Sequence, residues 1–268
     1  MNQQEVIFQD LGVQDYQSVW NYQEGLLQEN VRKKSLVYSP ESIVAVPKLQ
    51  TSNPIAIGSK LQTPDSKLPT PDFRLTTQHH LLFVEHPPVY TLGKSGKMEN
   101  LLINEEEMSR KQIEFYKTNR GGDITFHGPQ QIVGYPILDL EKFTTDIGKY
   151  LRNLEEVIIS TLADYGITGE RSTGETGVWI DAGVKGRERK ICAIGVRCSR
   201  WITMHGFAFN VNTDLSYFNY IIPCGIQHKQ VTSLQKELGT EVDFDEAKGN
   251  VKKNFEKVFG VTLVSREQ

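Results

Sequence analysis

Apolar residues recur with two different spacings near the amino end of the chain. Residues 1–10 alternate around Val6 and Phe8, which predicts a strand. From Asp15 to Lys34 the apolar residues recur at steps of three and four, which predicts a helix. Its apolar face consists of Tyr16, Val19, Tyr22, Leu26 and Leu27.

Residues 39–77 interrupt this regularity. Six of the 11 prolines of the chain lie there, among Ser, Thr, Asp and Gln, with one short apolar run at 43–46. Because proline disrupts helices and central strands, we expect a loop-rich surface insertion without a core of its own.

Beyond the insertion, short apolar runs alternate with turn signals and with longer helical stripes. Strands are predicted at 81–85, within 86–94, and at 113–117, 132–138, 177–180, 190–199 and 201–211. Helices are predicted at 105–112, 146–165 and 244–259, with a helical turn at 234–238. This irregular order of strands and helices predicts an α+β fold with mixed β-sheets and flanking helices.

Composition and charge narrow the function classes. The 268 residues are 38% hydrophobic and 24% charged, with a net charge of −3, which is typical of a soluble globular protein of one large or two small domains. No basic patch suggests nucleic acid or an anionic membrane as a partner. No secretory signal, organelle presequence or long apolar run is present, and the three cysteines fit a reducing compartment, so we expect a cytoplasmic protein.

Several common catalytic motifs are missing from the sequence. It contains no Gly-x-Gly-x-x-Gly, no phosphate-binding loop, no His-Glu-x-x-His and no Cys-x-x-Cys. The six histidines are scattered, and we therefore expect neither a metal nor a bound cofactor.

The stretch from Arg120 to Tyr135 concentrates chemistry-bearing residues. It combines the permanently charged Arg120, the adjacent Gly121 and Gly122, the hydroxyl of Thr125 and the imidazole of His127. Glycines allow positive φ and close approach of a ligand, and successive N–H groups in such a turn can donate hydrogen bonds to an anion or to a developing oxyanion. A lone Gly-Gly pair favours a simple tight hairpin, but its neighbours favour a binding site.

Cys224 is the most informative of the three thiols. It stands between Pro223 and Gly225 at a corner after an apolar run, whereas Cys192 alternates with apolar residues inside a strand. A cysteine in this position is more often a packing residue unless a base or cation activates it. The sequence offers four candidates for that activator: Lys190, His127, His205 and His228.

Taken in chain order, five motifs resemble the lipoyl(octanoyl) transferase family, also called lipoate-protein ligase B. They are EHPPVYTLGK at 85–94, RGGDITFHGP at 120–129, KICAIGV at 190–196, HGFAFNVNTDL at 205–215 and IPCGI at 222–226. The resemblance covers nearly the whole chain outside the 39–77 insertion.

The resemblance implies one catalytic domain over residues 1–268, with the α+β fold of lipoate ligases and biotin protein ligases. It implies transfer of octanoyl from acyl carrier protein to a lysine of a lipoyl domain, in 2-oxo acid dehydrogenase E2 subunits or the glycine cleavage H protein. Cys224 would be the nucleophile and Lys190 would lower its pKa. The substrate-binding residues would be Arg120, Gly121, Gly122, Asp123, Ile124, Thr125, Phe126, His127, Ala193, Ile194, Gly195, Gly206, Phe207 and Ala208.

Two other interpretations of the function remain open at this point. An ATP-dependent lipoate or biotin ligase on the same fold would activate a free acid and need no cysteine. A non-catalytic acyl-binding module would use neither Lys190 nor Cys224. The Pro-Cys-Gly corner favours the transferase, because of the three interpretations this one uses the thiol of Cys224. A thioester donor is already activated and its transfer needs no nucleotide, which agrees with the missing phosphate-binding loop.

Overall fold

The structure of the protein is a computed structural model, which describes residues 4–37, 76–222 and 230–265. The proline-rich stretch, except for Thr76 and Thr77, lies outside the described residues, and so does the segment 223–229 with Cys224 and His228.

Strands dominate the described part of the chain. They are β1 (Gln4–Val13), β2 (His79–Glu85), β3 (Val89–Leu92), β4 (Glu114–Lys117), β5 (Ile124–His127), β6 (Gln131–Ile137), β7 (Glu170–Ser172), β8 (Glu175–Ile180), β9 (Arg189–Ser199), β10 (Ile202–Asn210), β11 (Gln230–Val231) and β12 (Val261–Ser265). The helices are α1 (Tyr16–Val37), α2 (Glu105–Arg110), α3 (Ile147–Asp164), α4 (Leu234–Leu238) and α5 (Phe244–Phe259), with short 3₁₀ turns at Met98–Asn100, Leu140–Lys142 and Leu215–Tyr220.

Two mixed sheets organise these strands, which confirms the predicted α+β class. The large sheet has the order β12-β1-β2-β6-β10-β9-β8-β7, with β11 also paired to β9. Its β1 runs parallel to both neighbours, whereas β2, β6, β10, β9, β8 and β7 pair antiparallel. The small sheet has the order β4-β3-β5 and places the 120–127 stretch beside the glycine exit of β3.

Helices cover both faces of the large sheet because each has one apolar side. On one face, the buried stripe of α3 packs with α5 against the strands, and its members are Leu154, Val157, Ile158 and Leu162. Asp146 caps α3 by accepting a hydrogen bond from the Lys149 N–H at 3.0 Å. On the other face, Val19 and Leu27 of α1 pack against β2, β6 and β10.

Helix α1 extends three residues beyond its predicted end at Lys34, and buried polar contacts hold its second half against the rest of the fold. The Lys34 ammonium lies 2.9 Å from both Asp139 Oδ1 and Glu141 Oε2, and it donates to the Arg200 carbonyl at 3.0 Å. Asn30 exchanges two hydrogen bonds with the backbone of Gln78, at 2.7 and 2.9 Å. The described residues on either side of the proline-rich stretch are therefore held against each other.

The pairing of β8 with β9 contains a bulge. Val178 is opposite Cys192 and Trp179 is opposite Lys190, so Ile191 is the extra residue on β9. A bulge locally changes which way the side chains of a strand point. Ile191 and Cys192 are both buried in the core under α3, whereas Lys190 lines a cavity.

No helix within the described ranges is both long enough and apolar enough to cross a membrane.

Candidate functional site

A cavity of about 510 Å³ lies between the small sheet, the central strands of the large sheet and the first turns of α1 and α3. Its volume is that of a small-molecule site. Motifs that are distant in the sequence meet in it. The predicted residues that line it are Arg120, Gly121, Gly122, Asp123, Ile124, Thr125, His127, Lys190, Ala193, Ile194, Gly195, Gly206, Phe207 and Ala208.

Phe126 does not line this cavity, although it belongs to the same motif. It is buried in the core of the small sheet, where its ring stacks on Tyr217 with centroids 4.6 Å apart and lies 5.7 Å from Tyr90. Phe126 thus holds β5 in place, and any contribution to the cavity is indirect.

The Arg-Gly-Gly loop is fixed by backbone hydrogen bonds on two sides. The Gly121 N–H donates to the Val196 carbonyl at 2.9 Å, and the Lys94 and Ser95 N–H groups donate to Arg120 and Gly122 carbonyls at 2.9 and 3.1 Å. Gly122 has φ of +88°, a conformation that glycine adopts without strain. Because the Gly121 N–H is already bonded within the protein, it is not an oxyanion donor, which corrects that part of our expectation.

Arg120 lies in the wall of the cavity and is only 7% exposed. Its Nη2 donates to the Thr91 carbonyl at 2.6 Å and to Thr91 Oγ1 at 2.9 Å, and its Nη1 donates to the Gly121 carbonyl at 3.0 Å. These three acceptors are neutral, so they orient the guanidinium without cancelling its charge. The guanidinium group is therefore held in a fixed orientation in the wall of the cavity.

The histidines around the cavity are neutral at physiological pH. Burial, together with the nearby Arg120 charge, lowers the pKa of His205 to about 3 and holds that of His127 well below its ordinary value. His127 Nδ1 donates to Gln131 Oε1 at 3.0 Å, and His205 Nε2 donates to Asn119 Oδ1 at 2.9 Å. Neither imidazole supplies the positive charge that would stabilise a thiolate.

Lys190 lies at the start of β9 and, like these two histidines, lines the cavity. It is 8% exposed, its Nζ lies 4.6 Å from the centroid of the Trp179 ring, and it donates a long hydrogen bond of 3.4 Å to the Thr176 carbonyl. Among the candidates that lie in the described residues, Lys190 is the one suited to act as a cation.

The two described cysteines are poor nucleophiles. Burial raises the pKa of the Cys192 thiol far above its ordinary value and raises that of Cys198 as well. Cys192 lies in the core under α3, away from bulk solvent. Cys224 lies outside the described residues, two positions after Ile222, whose N–H donates to the Asn100 carbonyl at 2.8 Å.

Several cavity residues carry no signal in the sequence. Tyr16 and the α3 residues Ile147 and Leu151 read only as parts of helical stripes, and the hairpin that supplies Gly174, Glu175 and Thr176 resembles an ordinary turn. Across residues 4–37, 76–222 and 230–265, no cluster of His, Cys, Asp and Glu is arranged to hold a metal.

The profile of the lipoyl protein ligase A/B catalytic domain matches residues 71–256. A protein of Flavobacterium johnsoniae named octanoyltransferase is 54% identical over 257 residues, which is 96% of this chain and 97% of that protein. A Christiangramia forsetii octanoyltransferase is 51% identical over 97% of both chains. A Cytophaga hutchinsonii octanoyltransferase is 46% identical over 95% of this chain and 92% of its own length.

Solved structures share the fold at low sequence identity. A bi-partite lipoate protein ligase from Thermoplasma acidophilum superposes with a TM-score of 0.62 at 15% identity, covering 99% of this chain and 88% of that chain. Lipoate-protein ligase A bound with ATP gives a TM-score of 0.60 at 13% identity, covering 100% of this chain and 90% of that chain. These similarities confirm that this chain has the lipoate-ligase fold that its sequence motifs imply.

Proposed function

Because this chain belongs to the family of lipoyl protein ligase A/B catalytic domains, we propose that it transfers octanoyl to a protein lysine through a thioester on Cys224. It is an acyltransferase of protein lipoylation, as the relatives that are 46% to 56% identical and named octanoyltransferase indicate. The cavity that unites Lys190 with the Arg120–Gly122 loop is the observation that carries the proposed mechanism.

In the first half of the reaction, the Cys224 thiolate attacks the octanoyl carbonyl. A carbon–sulfur bond to Cys224 forms, the bond to the donor sulfur breaks, and the donor leaves as a thiol after taking one proton. Lys190 stabilises the thiolate and holds the proton for the leaving thiol. The Gly122 N–H, in the loop fixed by its neighbours, is a candidate donor to the tetrahedral oxyanion.

In the second half, the amine of the acceptor lysine attacks the acyl-Cys224 thioester. The amide bond forms, the carbon–sulfur bond breaks, and the proton lost by the amine returns to the thiol by way of Lys190. Both halves exchange one acyl bond for another of comparable or greater stability, so no nucleotide is consumed. The buried neutral histidines take no part in this proton transfer.

The cavity offers an apolar region for the acyl chain. Ile147 and Leu151 of α3 line it together with Ile194 and Phe207 of the large sheet. Burial of each methylene contributes about 0.8 kcal/mol, so an eight-carbon chain gains several kcal/mol from such a wall. Arg120 and the polar residues beside it would then contact the carbonyl end and the arm of the carrier.

We propose octanoyl-acyl carrier protein as the donor. The acceptors would be lipoyl domains of 2-oxo acid dehydrogenase E2 subunits and the glycine cleavage H protein. A donor and a lipoyl-domain acceptor are general requirements of the family's octanoyl transfer. Because the mechanism needs a free thiol at Cys224, we also propose that the protein works in the reducing cytoplasm.

Intact mass spectrometry tests the thioester. We expect incubation with octanoyl-acyl carrier protein in the absence of ATP to add one octanoyl group to the protein, and Cys224→Ser to abolish the adduct. Cys198→Ser is the matched control and should retain it, because Cys198 lies on β9 outside the cavity lining. An unmodified wild-type protein under these conditions, or an adduct that survives in Cys224→Ser, would contradict the mechanism.

A further inference from the structure

The peptide group between Thr176 and Gly177 lies outside the strand ladders on both of its sides. The pairing of β7 with β8 passes from Glu175 directly to Val178, and the pairing of β8 with β9 begins at Val178. Buried backbone groups that lack a ladder partner need another one. In this peptide the partners are two charged side chains.

A carboxylate contacts the N–H end of this peptide and an ammonium contacts the carbonyl end. Glu155 Oε1 accepts a hydrogen bond from the Gly177 N–H at 3.1 Å, and the Thr176 carbonyl accepts from Lys190 Nζ at 3.4 Å. In a trans peptide the N–H and C=O bonds point in opposite directions and their dipoles are aligned, so a negative charge at the N–H end and a positive charge at the carbonyl end polarise the group in the same sense. Each contact therefore strengthens the other.

Glu155 is mounted rigidly for this contact. It lies on α3 with a completely buried side chain, and its other oxygen, Oε2, accepts from Arg152 Nη1 at 2.6 Å and from Arg171 Nε at 3.1 Å. A buried carboxylate is costly unless it is paired and hydrogen-bonded. Both conditions are met here, and Oε1 remains directed to Gly177.

Gly177 permits the close approach that this arrangement needs. Its φ is +124°, and a Cβ there would lie 2.6 Å from the Cys192 carbonyl oxygen and 3.4 Å from Cε of Lys190. A side chain at this position would push β8 away from the β9 bulge and displace the lysine. Gly177 thus influences the position of Lys190 in two ways. It lacks a side chain that would displace the lysine, and its N–H fixes the peptide to Glu155.

We propose that Glu155 is a positioning residue for Lys190, acting through the Thr176–Gly177 peptide across the wall of the cavity. This inference rests on the proposed role of Lys190 toward Cys224. Glu155 touches neither substrate nor thiol; it holds the carbonyl that orients the lysine. Its loss allows the lysine to move, and Cys224 then ionises with less assistance.

The rate of iodoacetamide alkylation at Cys224, located by peptide mapping, measures this effect between about pH 6 and about pH 10. We expect Lys190→Ala and Glu155→Ala to lower the rate about fivefold or more near pH 7 and little near pH 10, where the thiol ionises unaided. Glu155→Gln keeps an oxygen that accepts from Gly177 and should recover most of the wild-type rate. A wild-type pH profile in Glu155→Ala would overturn the proposal.

Ile158→Ala is the control for general loosening of α3. Ile158 is buried on the same helix, one turn beyond Glu155, and does not line the cavity. We expect its unfolding free energy to fall while its alkylation profile stays that of the wild type. An equal shift in Ile158→Ala and Glu155→Ala, or none in Lys190→Ala, would overturn the positioning role. The octanoyl adduct of the previous section would still report separately on the proposed function.

Discussion

At the scale of single residues, the Arg-Gly-Gly loop depends on the missing side chain of Gly195. A Cβ at Gly195 would lie 2.6 Å from the Gly121 carbonyl oxygen and 3.3 Å from Arg120 Nη1. We predict that Gly195→Ala displaces the loop from β9 and lowers octanoyl transfer about tenfold or more, because a misplaced binding group costs transition-state stabilisation. Initial rates with octanoyl-acyl carrier protein measure the loss.

Gly183→Ala provides the comparison for this substitution. No atom lies within 4 Å of a Cβ at Gly183, which has no positive φ, so we expect wild-type rates and no loss of stability from it. Equal rates in Gly195→Ala and wild type would contradict the prediction that octanoyl transfer needs the close contact between Gly195 and the loop.

At the scale of elements, two glycines of helix α5 should respond to the same substitution with opposite signs. Gly249 lies inside the helix with nothing within 4 Å of its Cβ position, whereas Gly260 caps the helix with φ of +65°. We predict that Gly249→Ala raises the unfolding free energy by about 0.5–1 kcal/mol and that Gly260→Ala lowers it by about 1 kcal/mol.

Urea unfolding of the two α5 variants measures both effects. No residue of α5 lines the cavity, so octanoyl transfer should be unchanged in each variant. A loss of stability in Gly249→Ala would contradict the prediction, which rests on the open space around this position.

Long periodic elements could be predicted closely from the sequence. Helix α5 has the predicted bounds, and α3 begins and ends within one residue of its prediction, because a wide apolar stripe repeats over several turns. Strands β5, β7, β11 and β12 were not predicted, since two to five residues carry too little periodicity. Their pairing is decided by distant partners.

The cavity shows the same division between local and distant information. Arg120 and Lys190 stand out in local motifs, and the structure places both in the lining of one cavity. Tyr16 and Thr176 have no such motif, because their role arises only when α1 and the β7–β8 hairpin fold against strands from elsewhere in the chain. The contact of Glu155 with Gly177 joins residues 22 positions apart and depends on α3 crossing the sheet.

At the scale of the whole molecule, buried neutral histidines make stability depend on pH. Burial lowers the pKa of His79 and His86 to about 4 and that of His205 to about 3. The unfolded chain takes up these protons as pH falls through about 6.5, whereas the folded protein does not until near pH 4. Stability is therefore fully present above about pH 6.5 and is lost as pH falls below it.

We predict that the unfolding free energy falls by roughly 2 kcal/mol per buried histidine between about pH 7.5 and about pH 5. Urea denaturation at both values measures the fall, and His86→Gln should reduce it by about one histidine's share. Identical stability at the two pH values would contradict the prediction.

The pairing of β1 with β12 joins the first and the last described strands of the chain. A chain emerging from the ribosome exposes β1 early, yet β12, its partner on one side, is synthesised only after all the other described strands. Until then β1 presents an unpaired edge, and such edges invite pairing with other chains. Pairing of β12 with β1 is therefore the step that closes this side of the sheet, and a chain truncated before Val261 would leave the edge of β1 unpaired and prone to aggregation.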